Sequence, residues 1–118
     1  MRNYKELEVW QKAINLVETI YRLTKTLPQE ERYGLISQIQ RAAVSVPANI
    51  AEGWGRGSTK EYTQFLLIAR SSLMELETHL IIAKRVNYIK QAELENLQRE
   101  IESIGMMLNR LVQSLKKD

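Results

Sequence analysis

The sequence predicts an all-α fold, an antiparallel up-down four-helix bundle with the second helix kinked at Pro47. Three observations carry that expectation. Apolar residues recur every three or four positions through four long segments, the spacing of one helix face, and no segment sustains the alternation of a strand. Two tight connections and one glycine-rich corner join the segments, so consecutive helices must fold back on each other. The 118 residues are read as one domain, 1–118, long enough for a core of its own.

The first segment runs from Tyr4 to Leu27. Leu7, Trp10, Ile14, Val17 and Tyr21 form one stripe, and Val9, Ala13, Leu16, Ile20 and Leu23 a second beside it. Together they cover about half of the helix circumference, wider than the stripe of a surface helix. Pro28 ends this segment, and Glu30 and Glu31 put negative charge in the expected first turn of the next, where the dipole favours it. The second helix carries Leu35, Ile36, Ile39, Ala43, Val46 and Ile50 on its core side, with Gly34 a weak point near its start. Pro47 removes a backbone donor and presses on the carbonyl of Ala43, so a bend is expected there. Arg41, Ser45, Asn49 and Glu52 share an arc about 80° wide, while Arg41 and Glu52 stand roughly 16 Å apart along the axis, too far to pair.

Gly53, Gly55 and Gly57 break the helix. Ser58-Thr59-Lys60-Glu61 has capping-box spacing, so the third helix is expected to start at Thr59. Its main seam is Tyr62, Phe65, Leu66, Ala69, Leu73, Leu76, Leu80 and Ala83. A second seam of Leu67, Met74 and Ile81 repeats every seven residues, roughly 100–140° around the helix. Asn87 and Tyr88 suit a turn. The fourth helix, Gln91 to Leu115, keeps a heptad of Leu94, Leu97, Ile101, Ile104, Leu108, Leu111 and Leu115. Lys116 and Lys117 complement its C-terminus.

Composition narrows the function classes. Hydrophobic residues make up 44% and charged ones 26%, which excludes a disordered chain. No run is long enough to span a bilayer and the N-terminus is too charged for a signal peptide, so a cytoplasmic protein without membrane partners is expected. The absence of cysteine excludes disulfides, thiolate metal sites and cysteine nucleophiles. The net charge of +3 is mild and evenly spread, with no basic tail, so any nucleic-acid footprint must be built by folding or assembly.

The segments Leu7–Ala13, Glu30–Leu35, Gln38–Gly53 and Glu75–Thr78 resemble the small bacterial four-helix-bundle proteins encoded in intervening sequences of 23S ribosomal RNA genes, a family related to the accessory variability proteins of diversity-generating retroelements. The resemblance covers nearly the whole chain, with Arg41–Gly53 its most specific part. It implies a bundle assembled as a ring, a homopentamer, and, in the retroelement branch, association with RNA or with a reverse transcriptase.

Few residues offer chemistry. A di-iron carboxylate bundle needs two Glu-x-x-His motifs, whereas His79 is the one histidine and Leu76 stands three before it. The glycines lack a complete dinucleotide fingerprint and follow no strand. No catalytic residue, cofactor or metal is expected. The corner residues Trp54, Arg56 and Lys60 could stack on a base and hold a phosphate; against that, Trp54 can close the bundle end and Arg56 can bind helix-end carbonyls. Arg41 and Lys12 are weaker nucleic-acid candidates, Arg41 and Glu52 being expected as semi-buried residues paired across helices or subunits. Leu67, Met74 and Ile81 exceed what one four-helix core uses, which points to a subunit interface. The expected protein is a non-enzymatic, homo-oligomeric, nucleic-acid-associated adaptor that binds RNA or single-stranded DNA. The alternative is a protein-interaction scaffold with no nucleic-acid role.

Overall fold

In a computed structural model, which describes residues 3–116, four helices account for about three quarters of the chain: α1 (Glu8–Thr24), α2 (Leu35–Trp54), α3 (Thr59–Arg85) and α4 (Gln91–Leu115). No strand occurs among the described residues. Each helix packs on its sequence neighbours, α1 also meets α4, and the backbones of the diagonal pairs stay apart, so the four axes surround one core. Along α3 and α4 the paired residues run in opposite order, Arg70 with Asn109 and Glu77 with Gln98. Along α2 and α3 the same holds, Ser45 with Ser72 and Gly53 with Phe65. These neighbours therefore point in opposite directions. The body measures 47 × 23 × 20 Å, its long axis close to the roughly 40 Å of the 27-residue α3.

The core consists of aliphatic side chains from all four helices, with Leu16, Ile20, Ile39, Ile50, Leu66, Leu76, Leu80, Ile104 and Leu108 fully buried. Each contributes about 1.5–3 kcal/mol of transfer free energy. In α1 the stripe from Val9 to Leu23 faces this core, while Trp10, Ile14 and Val17 are half-buried and Tyr21 is exposed. In α4 the heptad holds from Leu94 to Leu108, after which Val112 is buried and Leu111 only half-buried. A strict seven-residue repeat drifts about 20° per heptad on a straight helix, so by the last turn the neighbouring position faces the core.

Caps set the boundaries. α3 starts where the capping box puts it, with Ser58 Oγ accepting from the Glu61 N–H. At its end Asn87 adopts φ 66, and the Tyr88 and Asn87 N–H groups donate to the carbonyls of Ala83 and Lys84, a Schellman motif that closes the helix. α4 begins with the Lys90 N–H donating to Glu93.

Two expected boundaries move. The first segment opens as a 3₁₀ turn, Tyr4–Glu6, and α1 proper spans Glu8–Thr24. Glu30 and Glu31 are not in the first turn of α2 but in a separate 3₁₀ turn, Gln29–Glu31, and α2 starts at Leu35. Glu31 still serves that helix. Its Oε1 accepts from the Leu35 N–H at 3.2 Å and its Oε2 from the Tyr88 hydroxyl at 2.8 Å, so one carboxylate caps α2 and ties it to the α3–α4 turn. That hydrogen bond, followed by burial and the charges of Glu31 and Glu30, raises the Tyr88 pKa. α2 is continuous through the buried Pro47. Lys116 follows α4 as its C-cap, and Lys117 lies outside the described residues.

Candidate nucleic-acid and assembly surfaces

The glycine corner forms where α2 and α3 approach too closely for a side chain. A Cβ on Gly53 would lie 2.7 Å from Phe65 Cβ and 3.1 Å from Tyr62 Cδ1, so only glycine fits. Gly57 takes φ 84, a left-handed conformation that glycine adopts without cost, and turns the chain into the Ser58 cap. Trp54 is half-buried and meets the Tyr62 ring edge-on, 6.0 Å between centroids, so it closes the bundle end instead of standing free. The Tyr62 hydroxyl is buried without a partner among the described residues, and burial raises its pKa.

Trp54, Arg56 and Lys60 all lie at the corner, but Trp54 packs on Tyr62 and Arg56 on Glu52 and Phe65, so they differ in availability. Arg56 pairs with Glu52 at 2.9 Å across one turn and lies over the Phe65 ring at 5.0 Å, in place of the expected helix-end carbonyls. Both members of that ion pair are exposed, so it is weak and Arg56 remains reachable. Lys60 is exposed on the first turn of α3 without an ion pair among the described residues. Arg41 and Glu52 are exposed, contrary to their expected semi-burial. Glu52 has its partner one turn away, and Arg41 has none among the described residues, because the α3 side of that arc is filled by Ser45 and Asn49. Arg41 lies some four turns before the corner and is not part of it. Lys12 sits in a groove of about 320 Å³ between α1 and α4. Arg99 and Glu100 line it too, and an adjoining groove sets Arg110 beside Glu8 and Glu102, so carboxylates offset the positive charge in both.

The outward side of α3 carries apolar residues among the exposed polar Gln64, Ser71, Glu75 and Thr78. Met74 is 57% exposed, while Leu67 and Ile81 are half-buried against the edge of the core. Ile68 and Ile82, 47% and 43% exposed, extend the stripe. Sequence reasoning missed this pair, although each follows directly after Leu67 or Ile81 and so lies about 100° further round. It also missed the elbow between α1 and α2, where Tyr33 is 88% exposed beside Arg32 and Lys25. A turn residue between Pro28 and Gly34 has no helical period to mark it.

His79 is half-buried, and among the described residues no three His, Asp or Glu side chains converge as a metal site would require. Among them, too, no helix is long and apolar enough to cross a membrane.

A family model described as 23S rRNA-intervening sequence protein matches residues 5–110. Among solved structures the chain is similar to a protein of unknown function from the S23 ribosomal protein family of Bacteroides thetaiotaomicron, with 27% identity and a TM-score of 0.82. That likeness covers 88% of this chain and 97% of the other. No curated protein matches the sequence.

Proposed function

The chain belongs to the family of 23S rRNA-intervening sequence proteins, and from that membership we propose that it is a non-enzymatic bundle that assembles with copies of itself and acts as a nucleic-acid-associated adaptor. The observation that carries this is the outward face of α3, where Ile68, Met74 and Ile82 are exposed and Leu67 and Ile81 half-buried, an apolar stripe interrupted by Ser71, Glu75 and Thr78. A stripe of this kind is covered in an assembly. Head-to-tail contacts either close into a ring or polymerise, and the family resemblance favours a closed pentamer.

Assembly also supplies charge. A protomer of net charge +3 attracts nucleic acid weakly, whereas a ring repeats the same cations around a rim and focuses their field. Lys60 and Arg56 at the glycine corner are first choice for such a rim, with Lys12 and Arg41 as secondary contributors. The second reading is a scaffold that binds protein alone, and the pairing of Arg56 with Glu52, though weak, is the observation on its side.

Light scattering after size exclusion should give a mass several times 13.8 kDa. A micromolar monomer overturns the assembly, and Met74→Glu should lower the mass. Anisotropy of a labelled oligonucleotide should show binding that weakens steeply with salt through counterion release. The double variant Arg56→Glu, Lys60→Glu should flatten that salt dependence with helicity and mass intact. An oligomer that binds no oligonucleotide even at low salt leaves the scaffold reading in place.

A further inference from the structure

The α1–α2 elbow holds a depression of about 540 Å³ that differs from the other charged surfaces in one respect, the absence of a carboxylate from its lining. Lys25 and Arg32 stand at its edge with the exposed Tyr33, and Gln29, Ser37 and Gln40 add amide and hydroxyl groups. Neither cation makes an ion pair among the described residues. The carboxylate that could have neutralised them is engaged elsewhere, since Glu31 caps Leu35 and accepts from Tyr88.

The aromatic is placed for use. The Arg32 guanidinium lies over the Tyr33 ring, 5.5 Å from its centroid, and with 88% of the residue exposed the rest of the ring is open to solvent. A large aromatic held this far out contributes nothing to the core, unlike Trp54, which is packed on Tyr62. An exposed ring flanked by two unpaired cations is the combination that binds single strands, the ring stacking on a base and the cations meeting phosphates. Gln29 and Gln40 can meet base edges, Gln40 keeping its carbonyl oxygen while its amide donates to Thr24.

We propose that this elbow is a single-stranded RNA-binding site, with Tyr33 as the base-stacking platform and Lys25 and Arg32 as the phosphate contacts. It rests on the nucleic-acid reading above but assigns the contact to a different part of the molecule from the glycine corner.

The test uses the full chain and a fluorescently labelled oligouridylate, followed by anisotropy across a salt series. Tyr33→Ala should weaken binding roughly 5- to 150-fold, the range of one lost base–aromatic stack. Tyr33→Phe, which keeps the ring, should bind like the wild type. The double variant Lys25→Gln, Arg32→Gln should reduce the salt slope by about 1.4, the loss of two phosphate contacts on a single strand. All three positions are exposed, so circular dichroism should be unchanged. If the wild type binds and Tyr33→Ala binds equally well, the elbow site is overturned while the adaptor reading stands. If Tyr33→Ala changes the oligomer mass and leaves RNA affinity untouched, the elbow is a subunit contact and the site is likewise overturned. A wild type that binds no RNA at low salt removes both.

Discussion

The two flanks of α3 are built on different principles. Toward α2 the close approaches run through small residues, Ser45 against Ser72 and Gly53 against Phe65 and Tyr62, and the packing is the most extensive in the molecule. Toward α4 the packing is less extensive, even though α4 is longer than α2 and buries the long side chains Leu97, Ile101, Ile104 and Leu108. The polar groups follow the same division. On the α2 side, Asn49 Nδ2 donates to the Ser45 carbonyl and hydroxyl, both at 2.8 Å, and Ser72 donates to the Ser45 hydroxyl at 2.9 Å. On the α4 side, Arg70 with Asn109 and Gln98 with Glu77 bridge the edges of the seam near solvent. A close seam leaves no slack for added volume, whereas a seam of flexible leucines can absorb it.

The sharpest way to break that comparison is Gly53→Ala. The new Cβ would meet Phe65 Cβ at 2.7 Å, and that atom is fixed to the α3 backbone, so the helices themselves must part. Overpacking of this kind costs about 3 kcal/mol, readable as a fall in the urea midpoint at unchanged slope. A variant as stable as the wild type would mean that the seam is looser than its geometry.

The segment with the most specific family resemblance thus has a packing explanation. Ser45, Asn49 and Gly53 recur every four residues and therefore lie on one line of α2, the line that α3 covers. Ser45 and Asn49 were legible in the sequence as a shared arc with Arg41 and Glu52, whereas Gly53 was read only as a helix breaker. What the sequence left open was which edge of that arc is buried, because a helical wheel gives angles within one helix and not the direction of its neighbour. The extent of α4 was legible from its heptad, but not its last turn, where Val112 and not Leu111 faces the core. The start of α2 was not legible, because its cap comes from Glu31, a side chain four residues upstream reaching over Gly34. The elbow aromatic was invisible for a related reason, since exposure in a turn is decided by the chain path and not by a period. Charge was the least legible feature. That Glu52 would meet Arg56 follows from their four-residue spacing, whereas the turning of Glu31 toward Tyr88 depends on the fold bringing the elbow next to the α3–α4 turn.

A second test sharpens the polar half of the comparison. Ser45→Ala deprives the Ser72 hydroxyl of its acceptor and Asn49 of one of two, inside a seam where water has little room. The expected loss is about 1–2 kcal/mol. Gln98→Ala removes a hydrogen bond of similar length, 3.0 Å to Glu77, at the edge of the other seam. Water can replace that partner, and the change should stay within about 0.5 kcal/mol. Equal losses at the two sites would show that burial does not separate them.

The smallest expected effect is the most discriminating, because its sign is opposite. Gly105 lies inside α4, where glycine weakens a helix by about 0.5–1 kcal/mol relative to alanine through its unfolded-state entropy. A Cβ there would find Leu73 Cδ1 at 3.9 Å, an ordinary contact with the end of a flexible side chain, and nothing nearer. Gly105→Ala should therefore stabilise by about 0.5–1 kcal/mol, raising the thermal midpoint of the same preparation in which Gly53→Ala lowers it. The two substitutions are chemically identical and both sit in helices flanking α3, so helix propensity pushes each in the same direction. Only the distance to the neighbouring helix differs. If Gly105→Ala destabilises instead, α4 approaches α3 as closely as α2 does, and the two flanks are not built differently after all.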